Sequence, residues 1–517
     1  MKLNYKRTIL VGFAFFLIMA FWQAYDATIP VILTNKFGMS QLWSGVIMAA
    51  DNILALFMLP LFGALSDKCK NRRGRRTPFI IIGTTIAAVT LVALSFVDNM
   101  QLQKISEYTK IDDQQTLVRI YEQQADATLK TPEGDEFVLH DKFTKEEFSQ
   151  IKMNEKDPVT GKDKVSDAYT NYVAPAREAC VADITAQDPS ALIIFIAVLL
   201  VILVSMSIFR SPAVALMPDV TIKPLRSKAN AVINLMGTAG GIAILGLGIV
   251  LKTSAAGNVF MNYYLYFAIV AGLMLVALLV FLLTVREPLW AKQMQEDTIR
   301  YGIEEKAEHQ DSARKLTRSE FISLILILLS VALWYFGYNA VTSKYSVYAG
   351  KILDMDYNST MLLAQASAIV AYLPAGMLAS KIGRKKTIIG GVILLAAAFG
   401  AASFMRAGSS ELVMNVLFVL AGVGWATINV NSFPMVVELS SGSDVGKYTG
   451  YYYTASMAAQ ILTPILSGYL MDLTGDTVLF PYAAIFVALA IVTMLFVTRG
   501  DSKVPHKKGI EALVVED

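Results

Sequence analysis

Side chains that carry enzyme and metal chemistry are scarce in this sequence. Its 517 residues include only three histidines and two cysteines, and 17% of the residues are charged. There is no Ser/His/Asp arrangement, no CxxC pair and no phosphate-binding loop ending in Gly-Lys-Ser or Gly-Lys-Thr. We therefore expect no enzyme activity, no metal site and no cofactor. The net charge of +3 does not indicate nucleic-acid binding.

Long apolar runs are what the sequence has instead. Apolar residues make up 55% of the chain, and the mean hydropathy is +0.50. A run of about twenty apolar residues can cross the bilayer as a helix. The pattern predicts an all-α membrane protein with twelve spans, at residues 8–33, 42–65, 78–97, 191–217, 229–251, 260–285, 320–342, 359–380, 387–406, 411–436, 448–471 and 478–498.

Lysine and arginine are concentrated in alternate loops between these runs. The segments 68–76 and 286–318 are strongly basic, whereas intervening short loops hold single charges such as Lys36. Because basic loops remain on the cytoplasmic side, we expect a multi-pass protein of the cell (inner) membrane with both termini cytoplasmic. Cys69 and Cys180 then lie on opposite sides of the membrane, so no disulfide is expected.

The two halves of the chain resemble each other. Gly74 and Gly383 lie in similar basic loops 309 residues apart, and Asp219 and Glu438 follow similar spans 219 residues apart. The difference of 90 residues is about the length of the polar segment 98–190. We infer two six-helix repeats with one insertion, an arrangement typical of transporters with a site at mid-depth between the halves.

These offsets divide the chain into six segments. The insertion is predicted on the outer side, and two interpretations stay open: a solvated acidic loop packed into a small cap, or a domain that screens substrate or binds a partner. The linker is predicted on the inner side and partly helical, around 304–308. The predicted segments are 1–97 (spans one to three), 98–190 (the insertion), 191–285 (spans four to six), 286–319 (the linker), 320–498 (spans seven to twelve) and 499–517 (a cytoplasmic tail).

The strongest local motif covers residues 63–80. Its glycines allow two helices to approach closely, and its acidic residue can accept hydrogen bonds at a helix start. Its arginines can reach a carboxylate at the inner end of span four, so the charges can hold the inner side shut. The alternative is a tight basic turn without a gate. The predicted gating residues are Gly63, Asp67, Gly74, Arg75, Arg76 and Asp219.

This motif is similar to the loop motif of the major facilitator superfamily. Its form Ser-Asp…Gly-Arg-Arg-x-Pro-Phe-Ile resembles the branch that holds plant sucrose–proton symporters and related animal proton-coupled sugar transporters. Residues 211–219 and 431–450 also fit that branch. The resemblance covers the twelve spans but not 98–190. It implies the major facilitator fold and cation-coupled sugar import.

Two acidic residues lie well inside the apolar runs, Asp26 in span one and Asp51 in span two. A charge at the bilayer centre costs at least about 2.5–3.5 kcal/mol, so such a residue is a functional candidate. Burial disfavours the charged form of a carboxyl, which suits a group that takes up and releases a proton. Asn339, the counterpart of Asp26 in the second half, cannot titrate, so we expect coupling in the first half. A structural hydrogen bond is the alternative for either acid.

The resemblance also bears on single residues. Asp26 falls where the animal relatives carry an acid in span one, which implies a role in proton coupling. Thr77 stands where the family usually has a basic residue, and Ser380 replaces the acid of the second loop copy. The second inner gate is therefore expected to be weaker.

Arg210 is the only cation well inside a run. Counting residues from the outer end of span four places it nearly 30 Å deep, too deep for easy contact with Asp26. We expect it to contact a sugar or an inner-gate carboxylate, and snorkelling to the inner surface is the alternative.

Tryptophans in spans one, seven and ten complete the predicted site. Each has a polar residue four positions later, on the same helix face, and aromatic faces can stack on sugar rings while amides and carboxylates bind hydroxyls. Interfacial anchoring or helix packing is the alternative for each residue. The predicted substrate-binding residues are Trp22, Gln23, Asp26, Arg210, Trp334, Tyr338, Asn339, Gln365, Trp425, Asn429 and Asn431.

These features lead to the hypothesis of a proton-coupled symporter for a disaccharide or short oligosaccharide, acting as a monomer in the lipid bilayer. Sodium coupling of a glycoside is one alternative. A drug–proton antiporter of the same fold is another, and its cavity would be more apolar. A third is a membrane receptor that does not transport and binds a partner through the insertion.

Overall fold

The computed structural model describes residues 3–156, 163–301, 316–439 and 445–500, and these form seventeen α-helices and four short strands. The strands are β1 (Thr128–Lys130), β2 (Glu136–Val138), β3 (Asn154–Lys156) and β4 (Asp163–Val165). The helices are α1 (Tyr5–Val31), α2 (Gln41–Asp67), α3 (Thr77–Lys104), α4 (Gln114–Gln124), α5 (Leu139–Lys142), α6 (Lys145–Ser149), α7 (Ala174–Gln187), α8 (Ser190–Val220), α9 (Arg226–Leu251), α10 (Tyr264–Thr284), α11 (Glu287–Arg300), α12 (Arg318–Tyr348), α13 (Tyr357–Ile382), α14 (Arg384–Ala402), α15 (Glu411–Val437), α16 (Val445–Thr474) and α17 (Leu479–Leu495).

Eleven helices in the described part of the chain are long and apolar enough to cross a membrane. The predicted span 448–471 lies within a twelfth long helix, α16, which packs along α2 and α12. Its first half is rich in tyrosine, threonine and glycine and is therefore less apolar. The first helix of each half, α1 and α12, ends in a single wider π-type turn, at Ile32–Lys36 and Ala349–Leu353. The fold is the all-α membrane architecture that the apolar runs predict.

Several helices are longer than the apolar runs from which they were predicted. α8 and α12 each have 31 residues, or roughly 46 Å at 1.5 Å per residue, against a hydrocarbon core of about 30 Å. At α12 a capping box explains the early start, because Thr317 and Glu320 each accept the other's backbone N–H. The ends of these helices therefore project beyond the hydrocarbon layer.

The membrane part contains two large hydrophobic cores. The first packs α1, α3, α8, α9 and α10 together, and the second packs the helices from α12 to α17. Between these two halves, α2 contacts α16, α9 contacts α13 and α1 contacts α12. Each half is thus packed mainly within itself, and the two meet along three helix pairs.

The halves are in close contact on one side of the membrane. We call this the cap side, because it carries the insertion, and the side where α1 begins the terminal side. On the cap side, Asp472 of α16 accepts the N–H of Gln41 at the start of α2 (2.8 Å), and Lys344 donates to the Gln41 carbonyl (2.5 Å). Toward the terminal side, Leu235 of α9 and Tyr453 of α16 are 55% and 52% exposed. The contacts that the structure describes at Gln41 therefore hold the two halves together on the cap side.

The insertion between α3 and α8 is a folded cap with its own small core. Two antiparallel hairpins, β1–β2 and β3–β4, accompany four helices. The core residues include Leu117, Phe137 and Phe148. Cys180 lies in this core, where burial raises the pKa of its thiol to about 12. It is free, as is Cys69. The described part of the acidic insertion is thus packed into a small cap, as in the first of the two interpretations. The second interpretation, a domain that screens substrate or binds a partner, stays open.

The linker begins with helix α11. The predicted helical stretch 304–308 lies outside the described residues, as does most of the tail 499–517.

Candidate functional site

A cavity of about 230 Å³ lies at mid-depth between the two halves. A single water needs about 10–15 Å³ of such space, so the cavity can hold a small solute. Helices of both halves line it: α1, α2 and α8 from the first, α12 and α16 from the second. The lining residues are Met19, Trp22, Tyr25, Asp26, Met48, Asp51, Asn52, Arg210, Asn339, Thr342, Ser343, Gln460 and Pro464.

Three charged side chains share this cavity. Asp26 and Asp51 supply two carboxylates, and Arg210 supplies one guanidinium. The Arg210 guanidinium lies 5.6 Å from the centre of the Trp22 ring, within the range of a cation–π contact. Asp51 accepts a hydrogen bond from the Asn52 amide at 2.8 Å. The cavity therefore carries one formal negative charge in excess.

Arg210 lies less deep than its place in the sequence predicts, although no direct bond between it and Asp26 is described. Both residues line the same cavity. The depth was counted from the outer end of span four, and α8 is about 16 Å longer than the hydrocarbon layer is thick. Counting from an end that projects beyond the membrane overstates the depth, and the long arginine side chain shortens the remaining distance.

Several polar atoms at the cavity have no hydrogen-bond partner among the described residues. They are the indole Nε1 of Trp22, the hydroxyl of Tyr25 and the amide Nδ2 of Asn339. Buried polar groups in proteins are nearly always hydrogen-bonded. An indole N–H, a hydroxyl and an amide N–H are thus available to water or to a solute rich in hydroxyl groups.

Gln23 and Gln365 lie where the halves meet, rather than in the cavity lining. The Gln365 amide donates to the Gln23 carbonyl oxygen, and the Gln23 amide donates to the hydroxyl of Tyr357 at 3.1 Å. A Cβ at Gly241 would lie 3.0 Å from the Gln365 oxygen, so a glycine leaves room for this amide pair. These predicted binding residues form a bridge between α1 and α13 in the present conformation.

Three other predicted residues form an aromatic cluster in the second half. The rings of Tyr338 and Trp425 are stacked, with centres 3.6 Å apart and an angle of 4° between the planes. Tyr335 meets Trp425 edge-on at 5.2 Å, and Asn429 is hydrogen-bonded to Tyr372. The structure brings these side chains together, but outside the lining of the central cavity.

Trp334 and Asn431 do not lie at the cavity. Trp334 is fully buried in the core of the second half, and the Asn431 amide donates to the Thr427 carbonyl of its own helix at 2.8 Å. Spacing of four places Trp334 and Tyr338 on one helix face, but it does not tell whether that face meets the cavity or the neighbouring helix α17. For these two residues the predicted role in binding is not supported.

The predicted gating residues form a compact ionic network. Both Arg75 and Arg76 bind Asp219, at 2.5 Å and 2.8 Å, and Arg76 also binds Asp67 at 2.5 Å. Arg76 further contacts the carbonyl of Gly63 at 3.4 Å. The hydrogen bond with Asp219 raises the pKa of Arg75 above its ordinary value, so this residue stays charged.

A buried glutamate in the linker completes this network, and sequence reasoning missed it. Glu287 accepts the backbone N–H groups of Arg76 and Thr77, both at 2.9 Å, and the Thr77 hydroxyl at 2.7 Å. It thereby caps the start of α3 from 210 residues away. Gly74 has a φ of +116°, and a Cβ there would lie 2.2 Å from the Glu287 carboxylate. The motif therefore requires glycine at this position.

All partners in this network belong to the first half and its linker. Among the described residues, the network joins α2, α3 and α8. The second half has a smaller copy, in which Arg384 binds Glu438 and the carbonyl of Pro434. Ser380 bonds only within its own helix, to the Met377 carbonyl at 2.7 Å. The predicted cluster of Arg75, Arg76, Asp67 and Asp219 is thus formed, and its role as a gate stays a prediction.

Two family models match separate parts of the chain. The model of the Major Facilitator Superfamily matches residues 357–515, and the model described as MFS/sugar transport protein matches residues 10–105. One match therefore falls in each half.

Curated relatives are similar over shorter segments. The MFS-type transporter ppzB of Metarhizium rileyi is 28% identical over 29% of this chain and 31% of its own length. The sucrose transport protein SUC4 of Arabidopsis thaliana is 28% identical over 14% of each chain. The multidrug resistance protein MdtH of Aeromonas hydrophila is 25% identical over 23% of this chain and 30% of its own. The chain spans about a third or less of the length of each of these curated relatives.

A solved structure supports the same architecture. The inward-open xylose transporter XylE from E. coli aligns with a TM-score of 0.56 at 15% identity, over 99% of both chains. At this identity the likeness shows the fold: twelve long helices in two halves around a central cavity.

Proposed function

We propose that this chain is a secondary transporter of the major facilitator superfamily, which two family models match in separate parts, and that it moves a sugar across the membrane by alternating access. The observation that carries the proposal is the mid-depth cavity between the halves. It is lined by both halves, and contacts between the halves, such as that of Lys344 with Gln41, hold them together on its cap side. A site of this kind can face each side in turn when the halves rock against each other.

The cavity chemistry supports a hydroxyl-rich solute. Indole and phenol rings provide apolar faces, and Trp22, Tyr25 and Asn339 present unpartnered polar atoms. Most of the lining side chains are polar or charged, which suits a solute with many hydroxyl groups better than an apolar one. The match to a sugar-transport family model and the similarity to a sucrose transport protein support the same class. We propose a disaccharide or short oligosaccharide as the substrate.

Coupling to a cation follows from the charge balance. Two carboxylates and one guanidinium leave one negative charge, which a bound proton or Na⁺ would neutralise. We assign the proton to Asp26, with Asp51 as the second candidate. The Asp26 carbonyl accepts a hydrogen bond from Ser346 of α12 at 3.1 Å, so this residue belongs to the contact between the halves.

Reconstitution in proteoliposomes tests both parts of this proposal. We expect counterflow of one member of a sugar panel and uphill accumulation driven by a pH gradient. Asp26→Asn should retain counterflow but lose accumulation, because an amide keeps the shape of the carboxyl and cannot carry a proton. Asp126→Asn is the matched control, since that side chain is 92% exposed in the cap. Accumulation by Asp26→Asn at the level of this control would exclude Asp26, and a Na⁺ gradient in place of the pH gradient would reveal sodium coupling.

The basic loops support an orientation for this transporter. Arg75, Arg76 and Arg384 lie on the terminal side, which the positive-inside rule places in the cytoplasm. We therefore propose that both termini are cytoplasmic, that the protein acts as a monomer in the cell membrane, and that the present conformation faces inward.

Drug–proton antiport is the second candidate, favoured by the similarity to a multidrug resistance protein. Its expected signature is export of apolar dyes from cells that express the protein, without sugar accumulation. The polar lining of the cavity argues for the sugar, because an apolar drug would leave buried polar groups such as the Asn339 amide without a hydrogen-bond partner.

A further inference from the structure

The cap is built onto the first half of the protein. Its chain leaves the end of α3 and returns at the start of α8. Side chains reinforce this junction: the Gln101 amide donates to the Thr185 hydroxyl at 3.0 Å, and Lys104 binds Asp188 at 2.5 Å. Since both ends of the cap continue into membrane helices of the same half, the cap moves with that half.

The same cap also touches the second half through charged and polar contacts. Glu178 of α7 binds Lys351 at the end of α12 at 2.9 Å. Asp354 accepts the backbone N–H of Val165 at 3.1 Å. A third contact, between Glu133 and Arg406 at 3.6 Å, is largely exposed. The cap therefore spans the two halves in this conformation.

Backbone contacts fix a second point of attachment. The N–H of Thr477 donates to the Pro132 carbonyl at 3.4 Å. Beside it, Gly134 and Gly475 both have positive φ, +96° and +99°, and a Cβ at Gly475 would lie 2.5 Å from the carbonyl carbon of Glu133. Two glycine turns, one from each side, pack directly against each other.

Beneath the cap lies a small cavity of about 90 Å³, which we call the cap-side chamber. Ala27 and Val31 of α1 and Ser346 and Gly350 of α12 line it from below, and Arg177 lines it from the cap. The neighbouring turns of α1 and α12 line the central cavity. The chamber is thus on the line between the central cavity and the cap-side surface, and the cap is its roof.

We propose that the folded cap, described at residues 105–156 and 163–189, is the cap-side gate of the transport pathway, and that the bond from Glu178 to Lys351 is its latch. The proposal rests on the alternating access of the proposed function. Opening this side requires α1 to move away from α12. Because the cap moves with α1, its contacts with α12 and with the turn before α17 must break as well, together with the contacts of Gln41 with Lys344 and Asp472.

The surroundings of Lys351 suit a latch that opens reversibly. Lys351 also binds Asp476 of its own half at 3.1 Å, so it keeps a carboxylate partner after release. The Glu178 side chain is 31% exposed and gains water when it separates. Neither charge is left buried and unpaired, which is the situation that makes breaking a buried ion pair expensive.

Labelling of a cysteine in the chamber tests the latch without any need for transport. In a Cys69→Ser background, Val31→Cys places a thiol under the cap, and the buried Cys180, whose pKa burial raises to about 12, stays unreactive. We expect Glu178→Gln to raise the rate of labelling by a membrane-impermeant maleimide by up to about fivefold, since an ion pair of this kind contributes about 0.2–1 kcal/mol. Glu122→Gln is the control, because Glu122 binds Lys145 within the cap.

A cross-link tests the gate itself. Cysteines at Pro132 and Thr477, joined by a short thiol cross-linker, should fix the cap to the second half and abolish sugar counterflow until the link is reduced. Cysteines at Lys104 and Asp188 fix the cap only to its own half and should leave counterflow unchanged. Equal labelling of Glu178→Gln and Glu122→Gln, or full counterflow with the 132–477 link in place, would overturn the proposal. If the protein shows no counterflow of any sugar even after the cross-link is reduced, this would count against the proposed function. The labelling experiment would still test whether the bond from Glu178 to Lys351 is a latch.

Discussion

Replacement of Glu287 by alanine should destabilise the protein strongly, although this residue lies in the linker far from the cavity. Its carboxylate is 2% exposed and accepts three hydrogen bonds, from Arg76 N, Thr77 N and the Thr77 hydroxyl. A hydrogen bond to a charged group contributes about 1.5–3 kcal/mol, and a buried donor left without a partner costs about 1–3 kcal/mol. These terms describe the same bonds and overlap, so we expect a loss of about 3–5 kcal/mol in the free energy of unfolding.

The thermal unfolding midpoint of the purified protein in detergent measures this loss. A shift of about 2–4 °C per kcal/mol applies to domains of 150–250 residues, and the lower end of that range predicts a decrease of about 6–10 °C for Glu287→Ala. The unfolding midpoint of Glu287→Gln should lie between those of the unaltered protein and Glu287→Ala, because the amide oxygen can still accept hydrogen bonds. Glu296→Ala on the same helix is the control. The Glu296 side chain is 63% exposed, and its ion pair with Lys292 is long, at 3.8 Å, so its removal should cost little. Equal midpoints for the alanine variants at 287 and 296 would refute the assignment of Glu287 as the cap of α3.

Two further predictions concern single sites. Gly74→Ala should lower the unfolding midpoint as much as Glu287→Ala, because it places a side chain at a positive φ and a Cβ 2.2 Å from the Glu287 carboxylate. Gly450→Ala is the control and should leave the midpoint unchanged, because a Cβ there meets nothing within 4 Å. Cys180 should resist maleimide at pH 8 and react only as the pH approaches its raised pKa of about 12, because the thiolate is the nucleophile. Mass spectrometry of a Cys69→Ser variant checks this, and rapid labelling at pH 8 would contradict it.

Much of the cavity could be predicted from the sequence because charges inside a membrane need a physical reason. Asp26, Asp51 and Arg210 stand out in apolar runs, and all three line the cavity. The internal repeat then indicated Asn339 as the counterpart of Asp26, and this residue faces them from the second half. The free-energy cost of a charged residue in the bilayer and the internal repeat can both be recognised from the sequence. They therefore indicate site residues even when the direction of each side chain is unknown.

Features that depend on direction or on distant pairing could not be predicted. Trp334 has the same spacing pattern as Trp22, yet it packs in a core. The sequence indicates that Lys36 is the single charge of a short loop. In the structure, its side chain is fully buried and binds Asp98 at 2.7 Å. Glu287 carries no local motif, since its partners lie 210 residues earlier. In each case the deciding contact comes from another helix, and periodicity along one helix contains no information about it.

The two halves contribute unequally to the proposed cation coupling. The first half supplies both carboxylates of the cavity, and the second places Asn339 opposite them. The partition between this cavity and the cap-side chamber includes the bond from Ser346 to the Asp26 carbonyl. A proton on Asp26 removes a charge that would otherwise have to stay hydrated or paired, so α1 can approach α12 more closely on that turn. In the proposed mechanism, cation binding and cap-side closure would therefore act on the same turn of α1. A difference in cation affinity between the two conformations is what allows a bound ion to shift the equilibrium between them, and this turn provides a structural origin for that difference.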